Sequence, residues 1–119
     1  MSANTAAATV ECIIPVLRVT QVDESIRYYT DILGFKVDWH DTTIASVSRD
    51  GHAVMLSEGA HGHAGTWVWI GVEDIEPLFD QLTAKGVKIL EKPTNYPWAY
   101  QMKIVDPDGH VLWIGSDPK

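Results

Sequence analysis

The chain is short of cysteine: Cys12 stands alone, so no disulfide can close within it, and a reducing compartment such as the cytoplasm is the expectation. It is also short of positive charge. Nine basic residues against 16 acidic ones leave a formal charge of -7, which repels phosphate backbones and attracts cations at long range, so nucleic acid is excluded as a partner and a cationic small molecule is favoured. No apolar run has the length of a membrane span, and membrane contact is not expected. Residues 1–10 have neither a basic start nor an apolar stretch of signal length and read as a flexible terminus outside the fold. Catalytic signatures are equally scarce. No glycine loop of the phosphate-binding kind occurs, Glu58, Glu73 and Asp74 fall at strand or loop ends and not as a facing pair, and no base is placed beside Cys12.

Tryptophan, by contrast, is plentiful, with five in 119 residues. Two of them, Trp67 and Trp69, lie in the almost unbroken apolar run Thr66-Trp-Val-Trp-Ile-Gly-Val72. A strand repeats its side-chain direction every second residue, so both indoles project to one side and begin a flat aromatic wall. Trp39, Trp98 and Trp113 fall at or near the ends of other expected strands.

Along the chain, Cys12 to Thr20 reads as a strand interrupted by Pro15, which belongs at an edge, bulge or hinge because it donates no ladder hydrogen bond. A helix over Glu24–Leu33 is predicted by the apolar stripe Ile26, Tyr29, Ile32 and Leu33, with Asp23 as its N-cap and Gly34 as its stop. Phe35 to Trp39 alternates as a strand with Phe35, Val37 and Trp39 on one side, and strands follow at Ile44–Ser48 and Ala53–Ser57 around an Asp50-Gly51 turn. After the glycine-rich connector Glu58–Gly65 the same order returns. There is a strand at Trp67–Val72, a helix from Glu73-Asp74 to Lys85 with Ile75, Leu78, Phe79 and Leu82 on its stripe, and strands at Val87–Leu90, Met102–Val105 and Val111–Gly115. Ile14 falls on Trp67 at an offset of 53 and Gly34 on Gly86 at 52, while Asp50-Gly51-His52 reappears as Asp108-Gly109-His110. The expected architecture is therefore α+β: one domain over 1–116 made of two βαβββ modules, 11–58 and 66–116, forming a curled mixed sheet of eight strands.

The run Val16-Leu17-Arg18-Val19, then Ser25-Ile26-Arg27-Tyr28-Tyr29, Leu33-Gly34-Phe35 and Asp106-Pro107-Asp108-Gly109, resembles the vicinal oxygen chelate superfamily, which holds glyoxalase I, ring-cleaving dioxygenases and bleomycin resistance proteins. In metal-using members of that family the first and last strands of each module supply the ligands. By motif these positions are Ile14, Met55, Trp67 and Trp113, whose alkyl, thioether and indole groups do not suit a hard divalent ion, so neither a metal nor another cofactor is expected. His52 and His110 lie an odd number of residues from Met55 and Trp113 and would face away; His61 and His63 sit in the connector.

Within the superfamily the chain is most similar to the bleomycin resistance proteins, through Trp67-Val68-Trp69, Pro97-Trp98 and Trp39 after Asp38. That resemblance implies a dimer in which Pro15 marks a strand crossing to the partner, and grooves that sequester a cationic antibiotic without turning it over. The implied ligand-binding residues are Trp39, Ser57, Trp67 and Trp98, joined by Met55 and Trp113 at the vacated metal positions, with Asp38 and Asp41 drawing in a cation. No catalytic residue is assigned. The alternative is a metal-dependent lyase or dioxygenase of the same superfamily with ligands placed elsewhere. A scaffold that keeps only the fold would instead show a closed groove with its indoles packed together.

Overall fold

A strand, a helix and three further strands occur twice in succession. The first copy runs β1 (Val16–Val19), α1 (Val22–Arg27), β2 (Lys36–His40), β3 (Ile44–Arg49) and β4 (His52–Glu58). The second runs β5 (Trp67–Gly71), α2 (Ile75–Ala84), β6 (Lys88–Asn95), β7 (Tyr100–Val105) and β8 (Val111–Ser116). The computed structural model describes residues 8–59 and 61–119, so most of the expected flexible terminus lies outside the described residues. The eight strands divide between two mixed four-stranded sheets, ordered β1-β4-β3-β2 and β5-β8-β7-β6, each with one parallel pair, β1 with β4 and β5 with β8.

Alternation along the strands decides what each sheet face does. In the first sheet Leu17, Leu56, Ala45 and Val47 are fully buried, and in the second Met102, Ile104, Leu112 and Ile114 are, with Leu33, Tyr29, Ile75 and Leu82 from the helical segments packed among them. These residues form one apolar core on the helix-bearing faces. Tyr100 and Met102 also turn that way, Tyr100 donating its hydroxyl to Glu76 of α2 at 2.5 Å, so they do not extend an aromatic wall on the other face.

Local reading of the sequence needs correction in several places. The first helix starts at Val22 with Gln21 as N-cap, not Asp23; no side chain of its own caps it, and the amide of Val22 donates instead to Glu58 Oε2 at 2.8 Å. The helix also changes winding, for Tyr28–Ile32 form a π-helical turn before Gly34, at φ 76°, ends it. β1 begins only at Val16, leaving Ile14 just before it, although the Pro15 carbonyl still accepts from the Met55 amide of the same chain at 2.9 Å. β6 continues through Pro93 to Asn95, which an edge strand with two register shifts tolerates. In β2 a bulge between Val37 and Trp39 puts them on opposite faces, so Phe35, Val37 and Trp39 do not share one side. The cause is Asp38, whose carboxylate leaves the regular pleat to accept from Ser48 Oγ at 2.7 Å and Ser46 Oγ at 3.4 Å.

The two sheets are joined at a polar seam built on the turn Asp106–His110. Asp106 Oδ2 accepts from the buried Tyr29 hydroxyl at 2.8 Å, and its Oδ1 accepts from the amides of Asp108 and His110, each at 2.9 Å. Asp108 reaches the other way, accepting from the Thr20 amide at 2.7 Å and the Ser25 hydroxyl at 2.8 Å. His110 is wholly buried: Nδ1 accepts from the Thr66 amide at 3.0 Å, which leaves the proton on Nε2 to be donated to the Arg18 carbonyl at 2.5 Å. Burial lifts the Asp106 carboxyl above its ordinary value although the Tyr29 hydroxyl and the two amides pull it down.

Burial, and after it the charge of Asp106, also pushes Tyr28 up to about 12 and Tyr29 well above its usual value. Unfolded tyrosine ionises near pH 10. Both hydroxyls therefore contribute stability that is present below about pH 10 and is lost as the pH climbs towards 12 and beyond. Urea midpoints measured from pH 8 to pH 11.5 should fall over the upper part of that range, and Tyr28→Phe should flatten the fall. An equally steep fall in the variant would contradict this account.

Candidate functional site

On the faces turned away from the helices, the register aligns side chains into rows. In the second sheet one row crosses all four strands as Trp69 (β5), Trp113 (β8), Lys103 (β7) and Glu91 (β6). Beside it lie Trp67 with Val111, and Gly71 with Gly115 and Gln101. The corresponding row of the first sheet is Val16, Met55, Ser46 and Trp39.

The expected pairing of Trp67 with Trp69 on one side is borne out, and Trp113 joins them. Trp113 meets Trp67 edge to face at 6.3 Å between ring centroids and Trp69 at 5.0 Å. Edge-to-face indoles place a positive rim against a negative face, which fixes their mutual angle. The wall stays open, because Trp67 is 57 % and Trp69 50 % exposed. A scaffold with a closed groove would hide them. One glycine makes the arrangement possible, since a Cβ on Gly115 would stand 2.3 Å from the Trp69 ring, whereas one on Gly71 would meet its indole nitrogen at an ordinary 3.5 Å.

Polar groups surround the wall in a connected set. Glu91 Oε2 accepts from the Tyr96 hydroxyl at 2.7 Å and Oε1 from Gln101 Nε2 at 3.1 Å, while Gln101 Oε1 accepts from Trp98 Nε1 at 3.1 Å. Trp98, 62 % exposed in the β6–β7 turn, stacks on Tyr96 at 4.8 Å. Lys103 Nζ lies 3.8 Å from Glu91 Oε1 and over the rings of Trp67 and Trp113 at 5.6 and 5.9 Å. Burial raises the Glu91 carboxyl, but the hydroxyl of Tyr96, the amide of Gln101 and the charge of Lys103 outweigh it and hold the group below its ordinary range. Glu91 and Lys103 thus form a charged pair inside the aromatic surround.

The other expected residues lie on the first sheet. Met55 and Trp39 share its row with Ser46, and Asp38 turns inward to Ser46 and Ser48. Ser57 is buried, with its hydroxyl donating to the Glu58 carbonyl at 3.3 Å and facing His61 Nδ1 at 3.2 Å, so it offers no free donor to a guest. Asp41 accepts from its neighbour Thr42 in the exposed β2–β3 turn.

The residues sequence reasoning missed are Lys103, Glu91, Gln101 and Tyr96. Their signal was present as alternation in β7, where Gln101, Lys103 and Val105 oppose the buried Met102 and Ile104.

Could the site hold a metal? The parallel partners are Val16 with Met55 and Trp69 with Trp113, with Trp67 and Ile14 beside them, and none offers imidazole, carboxylate or thiolate. Among the described residues no group of three or more His, Cys, Asp or Glu gathers where an ion would fit. These residues do not fit a metal. His110, the most buried histidine, is spent on the seam. Two shallow hollows are present elsewhere, around Tyr28, Ile32 and Pro107, away from the indoles. We place the site at the wall instead, because there, among the described residues, exposed aromatic faces converge with the charged pair of Lys103 and Glu91.

Residues 9–114 match the model of the Glyoxalase/Bleomycin resistance protein/Dioxygenase superfamily. No curated protein sequence matches the chain. Among solved structures, an integron cassette protein from the mobile metagenome of the Halifax Harbour sewage outfall is 28 % identical, with a TM-score of 0.78 over 90 % of this chain and 99 % of that one. A bleomycin-binding protein from bleomycin-producing Streptomyces verticillus, complexed with copper(II)-bleomycin, is 22 % identical, with a TM-score of 0.72 over 92 % of this chain and 98 % of that one. TnmS3, an antibiotic binding protein from Streptomyces sp. CB03234, is 18 % identical, with a TM-score of 0.71 over 92 % and 99 %. The α+β fold of two βαβββ modules is the one the repeat predicts, with the eight strands divided between two four-stranded sheets where one curled sheet was expected.

Proposed function

The chain belongs to the glyoxalase/bleomycin resistance protein/dioxygenase superfamily, and from that premise we propose that it binds and sequesters a flat aromatic small molecule of the antibiotic kind without turning it over. The observation that carries this reading is the open indole wall, in which Trp67 and Trp69 are accessible and are held edge to face against the more covered Trp113. Stacking on such faces is worth about 0.5–1.5 kcal/mol per well-placed pair beyond area burial, enough for three rings to hold a guest reversibly. Catalysis has less support. The family's metal positions lack donors, and the Glu91 carboxylate is tied by Tyr96 and Gln101, one hydrogen bond to each oxygen. Two structural neighbours, a bleomycin-binding protein and an antibiotic binding protein, point in the same direction.

A second copy of the chain completes the receptacle in this reading. The molecule measures 52 × 38 × 22 Å and its radius of gyration is 16.2 Å, whereas a compact domain of this length has one of roughly 13–14 Å. Trp39, Trp67, Trp69 and Trp98 are all 45 % exposed or more, an apolar extent that monomers seldom leave uncovered. Dimerisation brings a first-sheet face with Trp39, Met55 and Asp38 over a second-sheet wall. No helix among the described residues is long and apolar enough to cross a membrane, and a cytoplasmic site of action agrees with the exposed, unpaired Cys12.

Titration with bleomycin, followed by tryptophan fluorescence, tests the binding. The expected result is saturable quenching that Trp67→Ala and Trp113→Ala each weaken about tenfold, as loss of one good stacking partner implies. An unchanged spectrum at saturating ligand, in wild type and variants alike, removes bleomycin-type guests from the reading. Light-scattering mass should come out at twice the 13.2 kDa of one chain.

A further inference from the structure

The strongest hydrogen-bonding capacity left over at the wall belongs to a charged donor. The side-chain oxygens that face it each already accept one hydrogen bond, Glu91 Oε2 from Tyr96, Glu91 Oε1 from Gln101, and Gln101 Oε1 from Trp98. The ammonium of Lys103 is less committed. Lys103 Nζ makes one long ion pair, 3.8 Å to Glu91 Oε1, and an ammonium carries three N–H donors, so capacity remains for a guest. Trp113 Nε1–H is buried with no acceptor among the described residues. Buried donors without partners are rare in folded proteins and call for an explanation.

Lys103 also occupies the position a cationic guest would want. Its ammonium already lies over Trp67 and Trp113, so their negative faces are engaged by an internal cation. The acidic chain as a whole favours cations, but that field is screened beyond about 8 Å in physiological salt, whereas Lys103 acts at contact.

We infer that Lys103 determines specificity at this wall and selects a planar aromatic molecule bearing an anionic or strongly accepting oxygen group, such as a carboxylate or phenolate, over a cationic one. The inference rests on the binding role proposed above and names its ligand class. The guest stacks on Trp67 and Trp69 while its oxygen takes the hydrogen bonds of Lys103. Glu91 sets the strength of that selection, because it neutralises part of the ammonium charge from behind.

Two probes that differ only in charge make the test: 9-anthracenecarboxylate and 9-anthracenylmethylammonium, with energy transfer from tryptophan to anthracene as the readout. Wild type should bind the carboxylate about tenfold more tightly than the ammonium, the factor that one charge-assisted hydrogen bond supplies. Lys103→Met should abolish or invert that preference while the circular dichroism stays that of wild type, and Glu91→Gln should widen it, since Gln retains an acceptor for Tyr96 but loses the charge. Equal or tighter binding of the ammonium by wild type, or a preference indifferent to both variants, overturns the role of Lys103 and leaves the binding reading standing. If neither probe transfers energy in wild type or either variant, the binding reading falls and the inference with it.

Discussion

Asp106→Ala should unfold at markedly lower urea, with a loss of roughly 3 kcal/mol or more, because it strands three donors at once, each worth about 1–3 kcal/mol when left buried without a partner. The donors are the Tyr29 hydroxyl and the amides of Asp108 and His110. Those amides shape the turn that carries Asp108 to Thr20 and Ser25 and His110 to Thr66 and Arg18, so the damage spreads to both sheets. Tyr29→Phe removes one donor and leaves an acceptor that the amides still partly satisfy, and its cost should be the smaller, about 1–2 kcal/mol. The comparison is informative because both side chains lie in the same contact. If the two variants unfolded at the same urea concentration, Asp106 would matter only through Tyr29, and the turn would not be the joint we describe.

Gly115→Ala should release Trp69 from the wall. The added methyl would lie 2.3 Å from the Trp69 ring, far inside van der Waals contact, and the ring has somewhere to go because it is half exposed. Swinging it out sacrifices the 5.0 Å edge-to-face contact with Trp113. Overpacking of this kind costs about 1–3 kcal/mol, offset in part by the better strand propensity of alanine. The near-ultraviolet circular dichroism should lose intensity in the indole bands, and affinity for any stacked guest should fall about tenfold, as expected for one lost aromatic partner. Gly71→Ala is the control: its methyl meets the same indole at an ordinary 3.5 Å, so it should leave the spectrum nearly unchanged. Equal spectra for all three proteins would show that Gly115 does not position Trp69.

Much of the fold was legible in the sequence because its signals are local. The Asp50-Gly51 and Asp108-Gly109 turns, the stop at Gly86 and the stripes of both helical segments depend on a residue and its near neighbours, and they stand where the pattern puts them. So does the common side of Trp67 and Trp69, which follows from the period of a strand. What the pattern could not supply comes from contacts distant in sequence. Asp38 buckles β2 only because Ser46 and Ser48 arrive opposite it on β3, which turns Val37 to the other face. Likewise, α1 does without Asp23 as a cap because Glu58, 36 residues away, answers the Val22 amide.

The same division applies to the candidate site. Aromatic residues advertise themselves in a sequence, and Trp67 and Trp113, which the structure brings edge to face, could be picked out that way. Lys103 and Glu91 look like ordinary charges until strand pairing sets them in one row with Trp69 and Trp113. The repeated Asp-Gly-His tripeptide was read as two equivalent turns, yet its copies have diverged in use: His52 is exposed on β4, whereas His110 is wholly buried between the sheets. A hint was available in Asp106, a carboxylate with no counterpart in the first copy, where Ser48 stands two residues before Asp50.

The hairpin of β7 and β8 has two ends with different duties. Its strands present Lys103 and Trp113 outward, while its tip is clamped by Tyr29, Ser25 and Arg18 of the opposite half. Because the clamp never touches the display, evolution can rewrite what the surface greets without reopening the question of how the polypeptide holds its shape. Such a partition lets novelty accumulate along the blade while the hilt is left alone.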